Sequence, residues 1–232
     1  MFNKKRIPLF LSFCICIIIL NACSNKKAKT SRPEFAGTVI ILNGPSAIGK
    51  SSTIKAFQAN QDKLWLNIGI DNFFVGVLPQ NFHLKDTPEF KAIMHSVRTE
   101  DEQGKLFTLH IGPNGEKVIK GMHEAIAAYA RAGNNVIVDY IMYNPAWRNE
   151  LMTSLNGLNV IYVGITASLA TIHQREKQRG TSPEGHGRSL HESVHQGWSY
   201  DLKINTDEIN PDQIADKIIE YIDKKRTSAC KN

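Results

Sequence analysis

The body of this 232-residue chain has no cysteine. Of the four present, Cys14, Cys16 and Cys23 fall at the start and Cys230 close to the end. A disulfide framework, a cysteine zinc site and a thiol nucleophile are thereby excluded from the folded part. The eight histidines form no H-E-x-x-H pattern, so a zinc hydrolase has no support either. Charge of one sign is scarce as well. The formal net charge is +6, and setting aside Lys4, Lys5 and Arg6 leaves +3, too little to argue for a nucleic-acid partner. There is no internal repeat and no low-complexity tract. The longest apolar run, Ile7 to Leu20, has 14 residues, short of the ~17 to 25 that a spanning helix needs. What remains is ordinary globular composition, 42% hydrophobic, in a chain long enough for one α/β domain with a buried core.

The first residues read as an address. A basic start, the apolar run and the small-residue close Asn21-Ala22-Cys23 follow the grammar of a secretory signal. Leu20-Asn21-Ala22-Cys23 resembles the bacterial lipobox, which implies a signal peptide over 1–22 and lipidation of Cys23, with attachment to the far side of the inner membrane. An uncleaved signal anchor or a cytoplasmic location is the competing reading. Lys26, Lys27, Lys29 and Arg32 balance the basic residues before the run, so a positive-inside count gives no orientation. The polar, lysine-rich residues up to 36 suit a flexible tether.

From Gly37 onward, apolar β-branched runs alternate with helical periods, the pattern of parallel strands joined by crossover helices. Strands are expected at Thr38 to Leu42, Leu64 to Ile70, Asn135 to Asp139, Asn159 to Ile165 and Asp201 to Ile204. Helices are expected at Ser51 to Asn60, Gly121 to Ala132, Pro145 to Leu155, Ser168 to Gln178 and Pro211 to Lys224. The prediction is a three-layer α/β sandwich with a five-stranded parallel sheet over 37–226, followed by a tail over 227–232. Phe107 to Ile111, Pro113-Asn114-Gly115 and Glu116 to Ile119 read as an inserted β-hairpin over an Asn-Gly turn.

Gly44-Pro45-Ser46-Ala47-Ile48-Gly49-Lys50-Ser51 satisfies G-x-x-x-x-G-K-[ST], directly after one expected strand and before a helix. The glycines let the backbone curl so that its N–H groups face phosphate oxygens, and the helix N-terminus adds a favourable dipole. Gly44 to Ser51, with Ser52 in the next position, are the candidate ATP ligands. Lys50 would reach the terminal phosphates and Ser51 would ligate Mg²⁺. The motif by itself does not separate kinases from ATPases or GTPases, but no N-K-x-D guanine reader occurs.

Two acidic residues end expected strands, where an open parallel sheet lines its ligand crevice. Asp71 could accept the proton of an attacking hydroxyl, orient it, hold metal through water, or merely cap the next helix. Asp139 is the candidate second metal residue beside Ser51, or else a turn residue. Arg175, Arg179 and Arg188 surround the stretch Gly180 to Gly187, an arrangement suited to a lid whose guanidinium groups neutralise a moving phosphoryl group. A solvated helix face, with Glu176 among its charges, is the alternative. Trp147, Trp198 and Tyr200 read as packing aromatics.

Several of these segments, in order, resemble the chloramphenicol phosphotransferase family of P-loop kinases: Ile40 to Gly44 entering the P-loop, Trp65 to Asp71, Ile111-Gly112-Pro113, Ala130 to Gly133 before Val136 to Asp139, Val163-Gly164, Arg175-Glu176, Arg179-Gly180 and Tyr200-Asp201. The resemblance implies an ATP- and Mg²⁺-dependent transfer to a small-molecule hydroxyl, with Asp71 as the base toward the 3-hydroxyl of chloramphenicol. The sequence departs from the pattern at Thr181 to His186 and in an insert from Leu84 to Gln103. Other acceptors, of nucleotide-sugar or shikimate-like type, and a nucleotide-binding lipoprotein without transfer stay open. Adenine is expected near Asn205-Thr206-Asp207.

Overall fold

A computed structural model describes residues 36–180 and 182–229. The signal segment, Cys23, nearly all of the tether, Thr181 and the last three residues lie outside the described residues. In chain order the elements are β1 (Thr38–Asn43), α1 (Lys50–Ala59), β2 (Trp65–Gly69), a π-helical turn (Asn72–Val77), α2 (Pro88–Lys91), β3 (Met94–Asp101), β4 (Gly104–Ile111), α3 (Pro113–Arg131), β5 (Asn135–Tyr140), α4 (Ala146–Ser154), β6 (Asn159–Thr166), α5 (Leu169–Arg179), α6 (His186–Leu190), β7 (Leu202–Asn205) and α7 (Pro211–Ala229).

Five strands form one parallel sheet in the order β2-β5-β1-β6-β7. β1 is central, and its apolar run is explained by cover on both faces. Val39 and Ile41 join Ile119, Met122, Ile126, Trp147 and Leu151 from α3 and α4. Ile40 and Leu42 face the other way, toward Ile54 and Phe57 of α1 and Ile214, Ile218 and Ile222 of α7. All four strand residues are fully buried, each contributing roughly 1.5 to 3 kcal/mol by burial. The loop that follows β1 is therefore anchored on the best-buried strand of the sheet.

The inserted hairpin exists, but not where the Asn-Gly pair placed it. β4 pairs antiparallel with the upstream β3, His95 opposite His110 and Asp101 opposite Gly104. The turn is closed by Asp101 Oδ1, which accepts from the Gln103 amide at 2.8 Å, and by Gly104 at φ +107°. Pro113-Asn114-Gly115 instead opens α3, so that helix starts eight residues before the expected Gly121. Pro113 sits at N1, where its fixed φ suits a helix and its missing N–H costs nothing. Gly115 is required by crowding, because a Cβ there would lie 2.2 Å from the Ile93 carbonyl oxygen. Contact with the chain across from it, invisible in local sequence, decided between turn and helix.

Candidate active site

The P-loop joins β1 to α1 with two residues in left-handed conformation, Ala47 at φ 58° and Gly49 at φ 100°. Gly49 has open space where a Cβ would stand, so glycine serves the dihedral there. At Gly44 a Cβ would come 2.6 Å from the Ile165 carbonyl oxygen of β6, so glycine serves close approach. Pro45, Ser46, Ala47 and Ile48 are buried, and among the described residues the amides of Ser46 to Gly49 donate to no backbone carbonyl. Buried N–H groups without acceptors fit an anion ligand, and a triphosphate supplies one.

Lys50 is buried beneath this loop. Its ammonium donates to the carbonyls of Gly44 and Pro45, both at 2.9 Å, and lies 3.4 Å from Asp139 Oδ1. Burial lowers its pKa, while Asp139 and then Asp71 oppose that change. Ser51 Oγ donates to Asp139 Oδ2 at 2.6 Å. The P-loop serine and the carboxylate next to the end of β5 are thus side by side, as a Mg²⁺-nucleotide requires. Ser52 is exposed on the first turn of α1. No trio of His, Cys, Asp or Glu among the described residues is arranged to hold a metal. A cation here would be held by Ser51, Asp139 and phosphate oxygens, the usual habit of Mg²⁺.

Asp71 stands just beyond β2, ahead of the π-helical turn, with φ −65° and ψ −30°, and its side chain makes no cap hydrogen bond. Asn72 supplies the local closure, its Oδ1 accepting from the Gly69 amide at 2.6 Å. The helix-cap alternative therefore has no bond to support it. Partial burial raises the Asp71 pKa first, and the charge of Asp139 raises it further. Lys50 and Arg179 pull the other way. The residue is open to solvent overall, while its carboxylate is partly desolvated and coupled to Asp139, Lys50 and Arg179.

The three lid arginines separate. Arg179 influences both Lys50 and Asp71, and it forms no ion pair or hydrogen bond among the described residues. Arg175 is committed elsewhere: its guanidinium donates to Ile48 O at 3.1 Å, Thr206 Oγ1 at 2.8 Å and Thr206 O at 2.7 Å. It ties the P-loop to the loop after β7. Arg188 donates to Gly104 O at 2.8 Å and pairs with Asp101, which fastens the hairpin. Here Arg175 and Arg188 are engaged in holding the P-loop and the hairpin, whereas Arg179 has no such partner among the described residues.

Other residues near the site have no chemical role in the sequence reading. Tyr143, between β5 and α4, meets His186 at 3.1 Å with stacked rings. Its pKa is raised by burial and then by Asp71 and Asp139, while burial and then Lys50 depress that of His186 to about 4. The residue after His186, Gly187, is pressed against the Ser46 carbonyl, which sets this pair close to the P-loop. Glu176 is buried, not a member of a solvated face. At the root of the P-loop, Asn43 Nδ2 donates to Val194 O and to Tyr200 Oη, both at 2.7 Å, and Tyr200 Oη is 2.7 Å from His195 Nδ1. In the sequence, Glu176 and Tyr200 stand only within family-like segments, with no chemical role attached to them. A groove of about 660 Å³ between β7 and α7 includes Asn205 and Asp207 in its lining but no P-loop residue.

A phosphate loop at the end of the central strand, a carboxylate beside its serine, a second carboxylate at the neighbouring strand end and an arginine-bearing helix above define a P-loop phosphotransferase. The family described as chloramphenicol phosphotransferase-like protein matches residues 37–223, and the chain belongs to that family. A Mycobacterium tuberculosis (strain H37Rv) protein named as a candidate O-phosphotransferase is 31% identical over 180 residues, which are 77% of this chain and 78% of the relative. Among solved structures, the M. tuberculosis APS kinase in complex with AMPPNP and APS superposes with TM-score 0.55 at 15% identity, covering 81% of this chain and 98% of that one. The Deinococcus radiodurans tunicamycin resistance protein gives 0.54 at 18% identity, covering 80% and 95%. A Sinorhizobium meliloti gluconokinase gives 0.54 at 14%, covering 84% and 96%. These three likenesses establish the fold.

Proposed function

We propose that this protein transfers the γ-phosphoryl group of ATP to a hydroxyl of a small molecule, with Asp71 as general base. The observation that carries this reading is the side chain of Asp71. It has no structural hydrogen bond to maintain, it is electrostatically coupled to Lys50 and Arg179, and its raised pKa moves it toward the range where a base works well. ATP bound with Mg²⁺ supplies the phosphoryl donor and charge neutralisation. Lys50 and the P-loop amides would hold the phosphates, Ser51 and Asp139 the cation, and Arg179 would meet charge on the moving group. Arg175 would keep the P-loop in register with Asn205-Thr206-Asp207, where the adenine would rest.

The surroundings of Asp71 favour a neutral alcohol with an apolar or aromatic body. Phe73 is half-buried in the π-helical turn that Asp71 precedes, and Val75 and Val77 expose their side chains in the same turn. His186 is held neutral. Chloramphenicol is accordingly the first acceptor to test, ahead of the anionic acceptors that the names of the APS kinase and gluconokinase neighbours imply. Transfer of label from γ-³²P-ATP across a panel of alcohols tests the reading, and absence of transfer to every member would sink it. We also propose that Cys23 carries lipid and anchors the protein. Fatty-acid labelling in the wild type but not in Cys23→Ala is the expected result, and an unlabelled wild type refutes it.

A further inference from the structure

α5 turns Glu176 inward, where the residue is only 3% exposed. A carboxylate removed from water needs donors, and it has two: Gly185 N to Oε2 at 3.0 Å and Gly187 N to Oε1 at 2.6 Å. The turn so held is hemmed in on both sides. A Cβ on Gly187 would stand 2.9 Å from the Ser46 carbonyl oxygen of the P-loop and 2.4 Å from Ile172 Cγ2. A Cβ on Gly185, at φ +87°, would stand 2.2 Å from the Lys105 carbonyl oxygen of β4. Gly185-His186-Gly187 therefore bridges the P-loop and the hairpin, and both glycines are demanded by that fit. Between them, His186 lies 3.1 Å from the Tyr143 hydroxyl and packs against the Phe107 ring at 5.4 Å.

We propose that Glu176 is a positioning residue for phosphoryl transfer, acting through this turn to fix His186, and the Tyr143 hydroxyl paired with it, against the P-loop. The role rests on the kinase reading above, since in that reading the P-loop holds the phosphoryl donor. Removing the carboxylate leaves two buried amides without acceptors and frees the turn to shift. A displacement of about 1 Å near a reacting group costs on the order of 10²-fold in rate.

The test uses the full chain and three readouts: ATP-Mg²⁺ turnover with and without chloramphenicol as acceptor probe, affinity for a fluorescent ATP analogue, and hydrogen exchange of the Gly185 and Gly187 amides. Glu176→Gln keeps the volume but only one acceptor oxygen, and should lower kcat about tenfold, with Glu176→Ala lowering it about a hundredfold. Nucleotide affinity should stay within about threefold, and the Gly187 amide should lose protection. His186→Ala should lower kcat comparably. Because both act through one arm, the Glu176→Ala, His186→Ala double variant should be no more than about threefold slower than the slower single variant. Losses that multiply would overturn the role, as would full kcat in Glu176→Gln with Gly187 deprotected. If Glu176→Ala fails to fold, Glu176→Gln decides alone, with an unchanged melting temperature as its control. A wild type that turns over no ATP would defeat the kinase reading and this role together. Gly187 protection retained in that case would show that the clamp is architectural only.

Discussion

Replacing Asp71 by Asn separates chemistry from architecture in a single substitution. The side chain keeps its size, and because Asp71 makes no cap bond nothing structural is lost; Asn would cap as well as Asp in any case. What disappears is the proton-accepting charge. General-base catalysis is worth ~10²- to 10⁴-fold, about 2.7 to 5.4 kcal/mol on the barrier. ATP affinity should hold or rise slightly, because a carboxylate coupled to Lys50 repels the triphosphate that Lys50 attracts. The pH behaviour has a definite sign. The folded-state pKa of Asp71 is raised, first by burial and then by Asp139, so its contribution to stability is fully present below the ordinary carboxylate range and is lost as pH rises through the folded value. The variant should therefore melt no lower than wild type at pH 7, and any gain should vanish below pH ~3.9. In the wild type, activity should rise with pH as Asp71 deprotonates, with a midpoint above the usual aspartate value, and Asn should abolish that limb. Rapid-quench transfer, calorimetric ATP titration and thermal melts at several pH values measure all three. Full transfer by Asp71→Asn, or ATP affinity falling in step with rate, would refute the assignment.

Lys50→Ala should abolish turnover by removing the ammonium under the phosphate loop, and unchanged turnover in that variant would contradict the P-loop assignment. Asp139→Asn should weaken both Mg²⁺ dependence and ATP affinity, unlike Asp71→Asn, because it breaks the pairing with Ser51 and Lys50; a Mg²⁺ titration identical to wild type would argue against it. Arg175→Ala should weaken ATP binding, and Arg188→Ala should spare it, since the first braces the P-loop and the second the hairpin; equal losses of affinity would show the two roles to be wrongly divided. Burial depresses His123, His186 and His195 to about 4, so stability should fall as pH drops from 6.5 toward 4, each group adding up to ~1.4 kcal/mol per pH unit to the slope. His123→Gln should remove one proton from that slope in melts or denaturant titrations, and a slope that did not change would mean His123 is not titrating.

Signals confined to a few consecutive residues survived the passage to three dimensions. The five strands appear close to their expected positions. The inner strands β1, β5 and β6 carry the longest apolar runs because both their faces are covered, while the edge strands β2 and β7 admit Asn67 and Lys203. The P-loop lies between β1 and α1 because its glycines, lysine and serine serve one local geometry. Asp71 and Asp139 could be nominated since strand ends in a parallel sheet share one crevice. Where a residue's meaning depended on a distant partner, local pattern misled. Asn114-Gly115 suits a turn in isolation, yet Gly115 packs against Ile93 and the helix runs through it. Arg175, Arg179 and Arg188 share a charge and a neighbourhood, but Thr206 holds the first and Asp101 the third, while Arg179 is exposed. Glu176 looks like a surface residue until Gly185 and Gly187 are seen to bond it. The sequence by itself determined the layers, the phosphate loop and the two strand-end carboxylates, since each follows from backbone geometry over a handful of residues. Only the tertiary structure decided which charges face the phosphate site and which are consumed in holding it, because burial and long-range hydrogen bonding set whether a charged group is free to act.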